Sequence, residues 1–328
     1  MYGTGTKKML IILILDILKE YSDEKHRLTQ QEIIRLLKAN YDMERDRRSV
    51  KNNVESLKEM GYEISMEDGY YLMEREFDDA ELRMLIDSVL FSKSLTQKQA
   101  KTLIDKLCAQ GNRYFSAKVA HVSNLPQLQH GDNKLMYALD KLNDAIAEKK
   151  KVSFIYNSYG KDFKLHPKRE EVYVVSPYEI VANNGRFYLI CNSEHHDNVA
   201  HYRLDKMTGV EILEEKVRPK KEIKEFANGY SLPKHMAEHI YMFSGESVQV
   251  RLLVPDGWMN ELIDWFGKEF RIQPSSKEGM MEVIMQCNEK AMRYWALQYG
   301  QFVEVLGPME LRNEVRKAVS EMYEKYNE

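Results

Sequence analysis

Apolar and polar positions recur with two periods along this chain, helical at first and strand-like from about residue 150. The first apolar run, Met9–Leu18 (MLIILILDIL), gives way to the polar EYSDEKHR and predicts a buried amphipathic helix over Lys7–Tyr21. It is too short to span a bilayer and carries Asp16. Thr29 with Glu32 three residues on is a capping-box pattern. It opens a second helix, Gln30–Ala39, with an apolar stripe of Ile33, Ile34, Leu36 and Leu37. After NYDME a third helix runs from about Arg45 to Met60, and Gly61 ends it in the usual C-terminal position. Next, the alternating segment YEISMEDGYYLM flanks Asp68–Gly69, a dipeptide suited to a tight hairpin turn.

Three short helices followed by a hairpin outline a winged helix-turn-helix over residues 1–75. On the third helix Val50, Val54 and Leu57 form the stripe that faces the other two. Half a revolution away lie Arg45, Arg48, Asn52 and Glu55, with Ser49 and Lys51 at the flanks. Between Arg45 and Asn53, four basic residues (Arg45, Arg47, Arg48, Lys51) stand against one acidic, Asp46. Arginine can fork onto guanine and asparagine onto adenine in a major groove, and arginine and lysine neutralise phosphates. A solvated charged helix face would show the same composition. The preceding helix pair and the following hairpin favour DNA binding, through Arg45, Arg47, Arg48, Ser49, Lys51 and Asn52.

Residues 76–149 read as a helical connector. Phe77–Leu95 and Thr96–Gln110 are amphipathic and meet at a Thr96 cap. Asn112–Asp132 is irregular, with Pro126 and Gly131 as breakers, and Asn133–Lys149 is helical again. Over residues 150–215 the stretches VSFIYNS, KLHPKREEVYVVSPYEIVA, GRFYLICNS and AHYRLDKMTGVEIL read as strands, with a hairpin turn at Asn183–Asn184–Gly185. Short, closely spaced strands suggest a small, strongly bent sheet or barrel. Residues 216–246 form a charged, irregular join. Over residues 247–328 four strands alternate with two crossover helices before a final helix, Met309–Tyr326, which suggests a compact α+β sandwich. Trp258, Trp265 and Trp295 sit at helical positions there and read as core. The fold class is therefore α+β and multidomain.

Composition narrows the function classes. With 48 basic and 51 acidic side chains the net charge is −3, which excludes a chain that is basic overall but not a local basic patch. At 43% apolar and 30% charged residues the chain reads as globular. Three distant cysteines with no CxxC pair argue against a disulfide scaffold or a cysteine zinc site, and they suit a reducing cytoplasm. There is no GxSxG, HExxH or P-loop, and no nucleophile is paired with a base, so an enzyme is not expected. GTGTKK at Gly3–Lys8 has the wrong spacing for a phosphate loop. His235 and His239 lie four apart but show no third ligand nearby, so neither a metal nor another cofactor is expected. His195, His196 and His201 cluster around a loop. Twenty tyrosines suit polar pockets or interfaces, or plain core.

The run Arg186–Phe187–Tyr188–Leu189–Ile190 follows Pro177–Tyr178, and Tyr202–Arg203–Leu204–Asp205–Lys206–Met207 comes about a dozen residues later. This pattern resembles the WYL domain, with Phe187 in place of the family's tryptophan and Lys206 in place of its second arginine. The N-terminal module and the ending WALQYGQFVEVLGPMELRNEVRKAVSEMYEKY are similar to the winged helix-turn-helix and the WCX extension of WYL-type transcriptional regulators. The resemblance implies an SH3-like, Sm-like barrel that senses an anionic effector, a nucleotide or single-stranded nucleic acid, and a homodimer acting on promoters. Strand alternation places Arg186 and Tyr188 on one face with Phe187 and Leu189 opposite as core. It also places His201, Arg203 and Asp205 on one face and Tyr202, Leu204 and Lys206 on the other. Arg203, Arg186 and Tyr188 are the leading ligand residues, with Tyr156, His166, Tyr178 and Lys206 behind them.

The expected function is a ligand-responsive, DNA-binding transcription regulator, cytoplasmic and not membrane-bound. It reads double-stranded operator DNA with its N-terminal helix and an effector with its barrel. The alternative is a WYL accessory protein that binds single-stranded nucleic acid and modulates an associated enzyme.

Overall fold

The computed structural model describes residues 9–119, 134–227 and 229–327 of the chain. It divides into two compact units, Met1–Gly131 and Asp132–Glu328. The GTGTKK segment and the Pro126 and Gly131 breakers lie outside the described residues. No described helix is long and apolar enough to cross a membrane.

The first unit opens with α1 (Leu10–Tyr21), α2 (Gln30–Tyr41) and α3 (Arg47–Glu59). Ile14, Ile17 and Leu18 of α1, Ile33 and Leu37 of α2, and Val50, Val54 and Leu57 of α3 share one core. Thr29 caps α2 in the reciprocal box with Glu32 that its sequence predicts. The third helix begins two residues later than expected. Asp46 accepts from the Ser49 backbone N–H (2.8 Å) and hydroxyl (2.9 Å), so Asp46 is the N-cap and Arg45 precedes the helix. Gly61, at φ +97°, follows the last turn of α3. A hairpin follows: β1 (Ile64–Ser65) and β2 (Tyr71–Leu72), antiparallel. Its loop bonds back to the α1–α2 connection through Leu28 and Tyr70, N–H to carbonyl both ways at 2.9 and 2.7 Å. Gly69 sits there at φ +118°, where a Cβ would stand 2.9 Å from the Cβ of Arg27. Arg75 donates to the carbonyls of Lys19 (2.8 Å) and Ser22 (2.7 Å), tying the end of the hairpin to the C-terminus of α1.

Helices α4 (Asp79–Phe91) and α5 (Gln97–Cys108) pack through Leu82, Ile86 and Ile104, and Thr96 caps α5 with Gln99. Arg113–Val119, part of a stretch expected to be irregular, is a helix, α6, whose Phe115 is buried in the same cluster.

The second unit starts with α7 (Lys134–Glu148), which packs on the strands that follow rather than extending a separate connector. Leu135, Ala138, Leu142 and Ala145 are its buried face. The strands are β3 (Lys150–Tyr159), β4 (Leu165–Pro167), β5 (Tyr173–Asn183), β6 (Arg186–Asn192), β7 (Ala200–Arg203) and β8 (Met207–Lys216). They form a curled sheet in the order β4-β3-β5-β6-β7, with β8 also paired to β3. Two expected long strands are therefore broken. Residues 164–182 split into β4 and β5, and residues 200–213 split at a 3-10 turn, Leu204–Lys206, between β7 and β8.

The expected irregular join is instead folded. It contains α8 (Lys224–Ala227) and α9 (Leu232–Glu238), and it buries Ile223, Phe226 and Met242 against Tyr178, Val181, Ile190 and Val199 of the curled-sheet module. The last module adds β9 (Ser247–Pro255), α10 (Met259–Phe266), β10 (Phe270–Pro274), β11 (Met280–Asn288), α11 (Glu289–Gln298), β12 (Glu304–Gly307) and α12 (Met309–Asn327). Its antiparallel sheet runs β10-β11-β9-β12, the split β-α-β arrangement. Trp295 is fully buried in its core, and Trp258 and Trp265 pack against that core.

Candidate functional site

The 3-10 turn after β7 creates the main polar feature of the curled sheet. In a continuous strand Leu204 and Asp205 would point to opposite faces. In the turn both are buried, and Asp205 folds back onto its own neighbour. Arg203 donates from Nε to Asp205 Oδ1 (3.0 Å) and from Nη2 to Oδ2 (2.6 Å), a two-pronged pair. Arg186, on β6, donates from Nη1 to the same Oδ2 at 3.3 Å. The Asp205 side chain is 3% exposed, whereas Arg203 and Arg186 keep 22% and 31%. One sheltered carboxylate thus holds two guanidiniums whose outer edges meet solvent.

More positive charge surrounds this pair. Lys206 is half-buried; burial first, then the charges of Arg203, Lys168 and Arg186, hold its ammonium below its ordinary value, with Asp205 opposing them. Arg203 is displaced the other way: its burial disfavours charge, and the bonds to Asp205 outweigh that. Lys168 lies over the Tyr156 ring at 5.3 Å, and Arg169 over Tyr173 at 3.6 Å. Tyr188 is the cross-strand partner of Arg203, so it shares a face with Arg203 and Arg186 as the alternation predicts. The Arg203 backbone N–H donates to the Tyr156 hydroxyl at 3.3 Å. Burial raises both phenol pKa values, so the hydroxyls stay protonated and can donate. Tyr156 also packs edge-on with Phe154, Tyr173 and Tyr202.

The other expected ligand residues are placed elsewhere or differently. His166 is exposed and bonded to Asp162 at 3.0 Å in the β3–β4 turn. The Tyr178 hydroxyl donates to the Arg218 carbonyl at 2.7 Å, and its ring packs on Phe226, so it braces the folded join. Leu189 is fully buried as expected, but Phe187 is only half-buried. Lys206 does not continue the Tyr202 face, because the strand ends before it. Sequence reasoning missed Asp205 as the organiser and Lys168 as a neighbour. An acidic residue two positions from Arg203 was visible, but strand alternation already put it on the arginine's face, and only the turn brings it into bonding distance.

In the first unit, the expected DNA-reading residues fall on or beside the first two turns of α3. Arg47, Arg48 and Asn52 are exposed. Lys51 is exposed and lies 3.8 Å from Glu55. Ser49 is committed to Asp46, and Arg45, off the helix, donates to the Glu44 carbonyl at 2.8 Å. The exposed set on the helix is therefore Arg47, Arg48, Lys51 and Asn52.

Among the described residues one group has the make-up of a metal site: Glu225, His235 and His239, with ligand atoms all within 4.8 Å of one another. His201 adjoins it, its Nε2 2.8 Å from that of His235. Burial lowers the pKa of all three histidines, to about 3 for His235, so their rings are neutral at pH 7.

Comparison with known proteins bears on the second unit first. Residues 137–212 match the family model of the WYL domain. No curated protein matches the chain. Among solved structures the chain is similar to the proteasome accessory factor B/C (PafBC) of Arthrobacter aurescens, with 15% identity and a TM-score of 0.32, over 99% of this chain and 50% of that one. It is also similar to a CRISPR Cas-related protein, with 14% identity and a TM-score of 0.41, over 100% of this chain and 88% of that one. The chain spans about half the length of the PafBC chain it matches.

Proposed function

We propose that this protein is a ligand-responsive transcription regulator and not an enzyme. In this reading residues 1–75 bind double-stranded operator DNA, and the curled sheet of the WYL match senses an anionic effector, a nucleotide or single-stranded nucleic acid. The observation that carries the sensing half is the pair Arg186–Arg203 held on buried Asp205. Lys206 and Lys168 beside it supply charge for phosphate, and the half-buried Tyr188 ring supplies a face for a base. The DNA-binding half is supported by Arg47, Arg48, Lys51 and Asn52, exposed on a helix that follows a helix pair and precedes a hairpin. A homodimer fits this reading, because two heads read two half-sites. Coupling then requires the effector to bind one conformational state of the dimer better than the other.

Fluorescence anisotropy on the full chain tests both halves, with labelled genomic duplex fragments and labelled single strands as probes. The reading expects duplex binding that Arg48→Ala weakens, and single-strand or nucleotide binding that Arg203→Ala weakens, each without affecting the other. Single-strand binding with no duplex binding at any salt concentration would overturn the regulator reading in favour of an accessory protein. Duplex binding undisturbed by Arg48→Ala would overturn the groove assignment.

A further inference from the structure

The region between the WYL match and the last module gathers groups that neither half of the proposed function uses. His235 lies on α9, His239 immediately follows it, Glu225 lies on α8, and His201 reaches in from β7. All three histidines are buried, His239 to 1% exposure. The ring centroids are 4.3 Å apart for His235–His239, 4.9 Å for His201–His239 and 5.0 Å for His201–His235.

The hydrogen bonds determine where the lone pair of His239 points, while the His201–His235 contact is open to either ring as donor. His239 Nδ1 lies 2.9 Å from the Phe243 carbonyl, which can only accept, so Nδ1 carries the proton. A neutral ring then leaves Nε2 as a bare acceptor, and it lies 3.8 Å from Oε2 of Glu225. Glu225 Oε1 is occupied by the Val199 backbone N–H at 3.0 Å, but Oε2 is buried with no hydrogen-bond partner. Nδ1 of His201 is likewise buried and unpartnered. Two acceptors facing each other in a sheltered site repel unless a proton on Glu225, whose pKa burial raises, or a metal ion joins them, and a buried polar atom left without a partner is costly. Ligand atoms on one tetrahedral zinc ion, with metal–ligand distances of about 2.0–2.2 Å, stand about 3.3–3.6 Å apart. The Glu225–His239 pair is at 3.8 Å and the three ligand atoms all lie within 4.8 Å of one another, so small side-chain shifts would close them on an ion.

We propose that Glu225, His235 and His239 form a binding site for a divalent transition metal ion of the zinc class, with His201 beside its fourth position. Two borderline imidazole nitrogens with one hard carboxylate oxygen suit zinc over calcium or magnesium, which take all-oxygen sets. The His239 Nδ1–H bond to a backbone carbonyl is the outer support that metal-ligating histidines characteristically have. A cavity of about 330 Å³, lined by Glu225, His235, Tyr230, Lys234 and Glu238 among others, gives the ion a path from solvent. The His235–His239 spacing alone lacked a third ligand. The fold supplies it from ten residues upstream of His235 and brings a further imidazole from β7. A bound ion would fasten α8 to the end of α9 within the folded join, next to His201 on the strand that carries Arg203.

The full chain, stripped with chelator and dialysed against zinc alone, is read by elemental analysis and by thermal unfolding. One zinc per chain is expected, with a rise in melting temperature. Glu225→Gln and His239→Gln are each expected to weaken uptake by about a hundredfold or more, going beyond the loss typical of outer-shell changes. His235→Gln, checked for native circular dichroism, is expected to lose the zinc-dependent rise in melting temperature. Replacing exposed His195 and His196 together by Ala controls for adventitious binding and is expected to leave the stoichiometry at one. Failure of the parent chain to take up zinc, uptake unchanged in both ligand variants, or loss of uptake in the His195/His196 variant would each overturn the proposal.

Discussion

Asp205→Asn separates the stability of the Arg186–Asp205–Arg203 group from its capacity for anions. Asparagine keeps the shape and removes the charge that two guanidiniums share, at 2.6 to 3.3 Å. Breaking a fully buried ion pair costs about 3–5 kcal/mol. Here the carboxylate is buried but the arginines keep 22% and 31% exposure, so water compensates part of the loss. A cost of about 2 kcal/mol is reasonable after that discount. For a unit of this size it corresponds to a fall in melting temperature of about 4–8 °C. Anion binding should change in the opposite direction. The carboxylate no longer competes for the guanidiniums, and one negative charge leaves a site ringed by Arg186, Arg203, Lys206 and Lys168. At an effective dielectric of about 20, a charge about 5 Å from a bound phosphate contributes about 3 kcal/mol before ionic screening. About 1.4 kcal/mol surviving in salt gives a tenfold gain in affinity. Calorimetric titration of the parent, Asp205→Asn and Arg203→Ala with a nucleoside triphosphate, at two salt concentrations and with thermal melts alongside, measures both effects. The reasoning is refuted if a folded Asp205→Asn variant binds no more tightly than the parent.

Three further outcomes follow from the same structure. His235 and His201 are neutral in the fold and have pKa values far below those of an unfolded chain, about 6.5, so between pH 6.5 and about 3 the unfolded state binds more protons. Stability therefore falls on acidification below pH 6.5, approaching about 1.4 kcal/mol per pH unit per histidine, and urea titrations in chelator that are flat from pH 7 to 5 would contradict it. Arg48→Ala should weaken duplex binding uniformly or at one base position; a pure phosphate contact lowers the salt slope by about 1, and a base contact relaxes sequence preference at that position. Gly69→Ala should destabilise the hairpin of the first unit by about 1–3 kcal/mol, because φ is +118° and the new Cβ meets Arg27 at 2.9 Å, and urea unfolding that matches the parent would count against this.

Much of the fold was legible where a local rule decided the outcome. Thr29 and Thr96 each carry the right partner three residues on, and both cap as expected. The start of α3 was misplaced because Arg45 fits the basic face, and only the bonds of Asp46 to Ser49 decide where the helix begins. Strand alternation put Arg186 and Tyr188 on one face of their strand, and the observed register adds Arg203 by pairing it with Tyr188. Alternation failed at Leu204, where two successive side chains are buried and the chain turns. The join over 216–246 looked like a linker because its lysines and glutamates dominate the composition. Its fold rests instead on Ile223, Phe226 and Met242, three scattered apolar residues whose partners lie on other strands. The histidine cluster was illegible for the same reason, since His201 and His235 are 34 positions apart and meet only through tertiary packing.

Asp205 also sets a threshold for whatever anion the site accepts. A carboxylate tethered two residues from Arg203 acts as a built-in occupant of the guanidiniums. Tethering over so short a span gives it an effective concentration of about the millimolar range or above. Chloride, acetate and other dilute monoanions would lose that contest. A ligand that brings several charges at once, with a planar ring to lie against tyrosine, can win it. Under the proposed sensing role, the side chain that holds the two guanidiniums would in this sense also be a filter, favouring polyanions over common small ions.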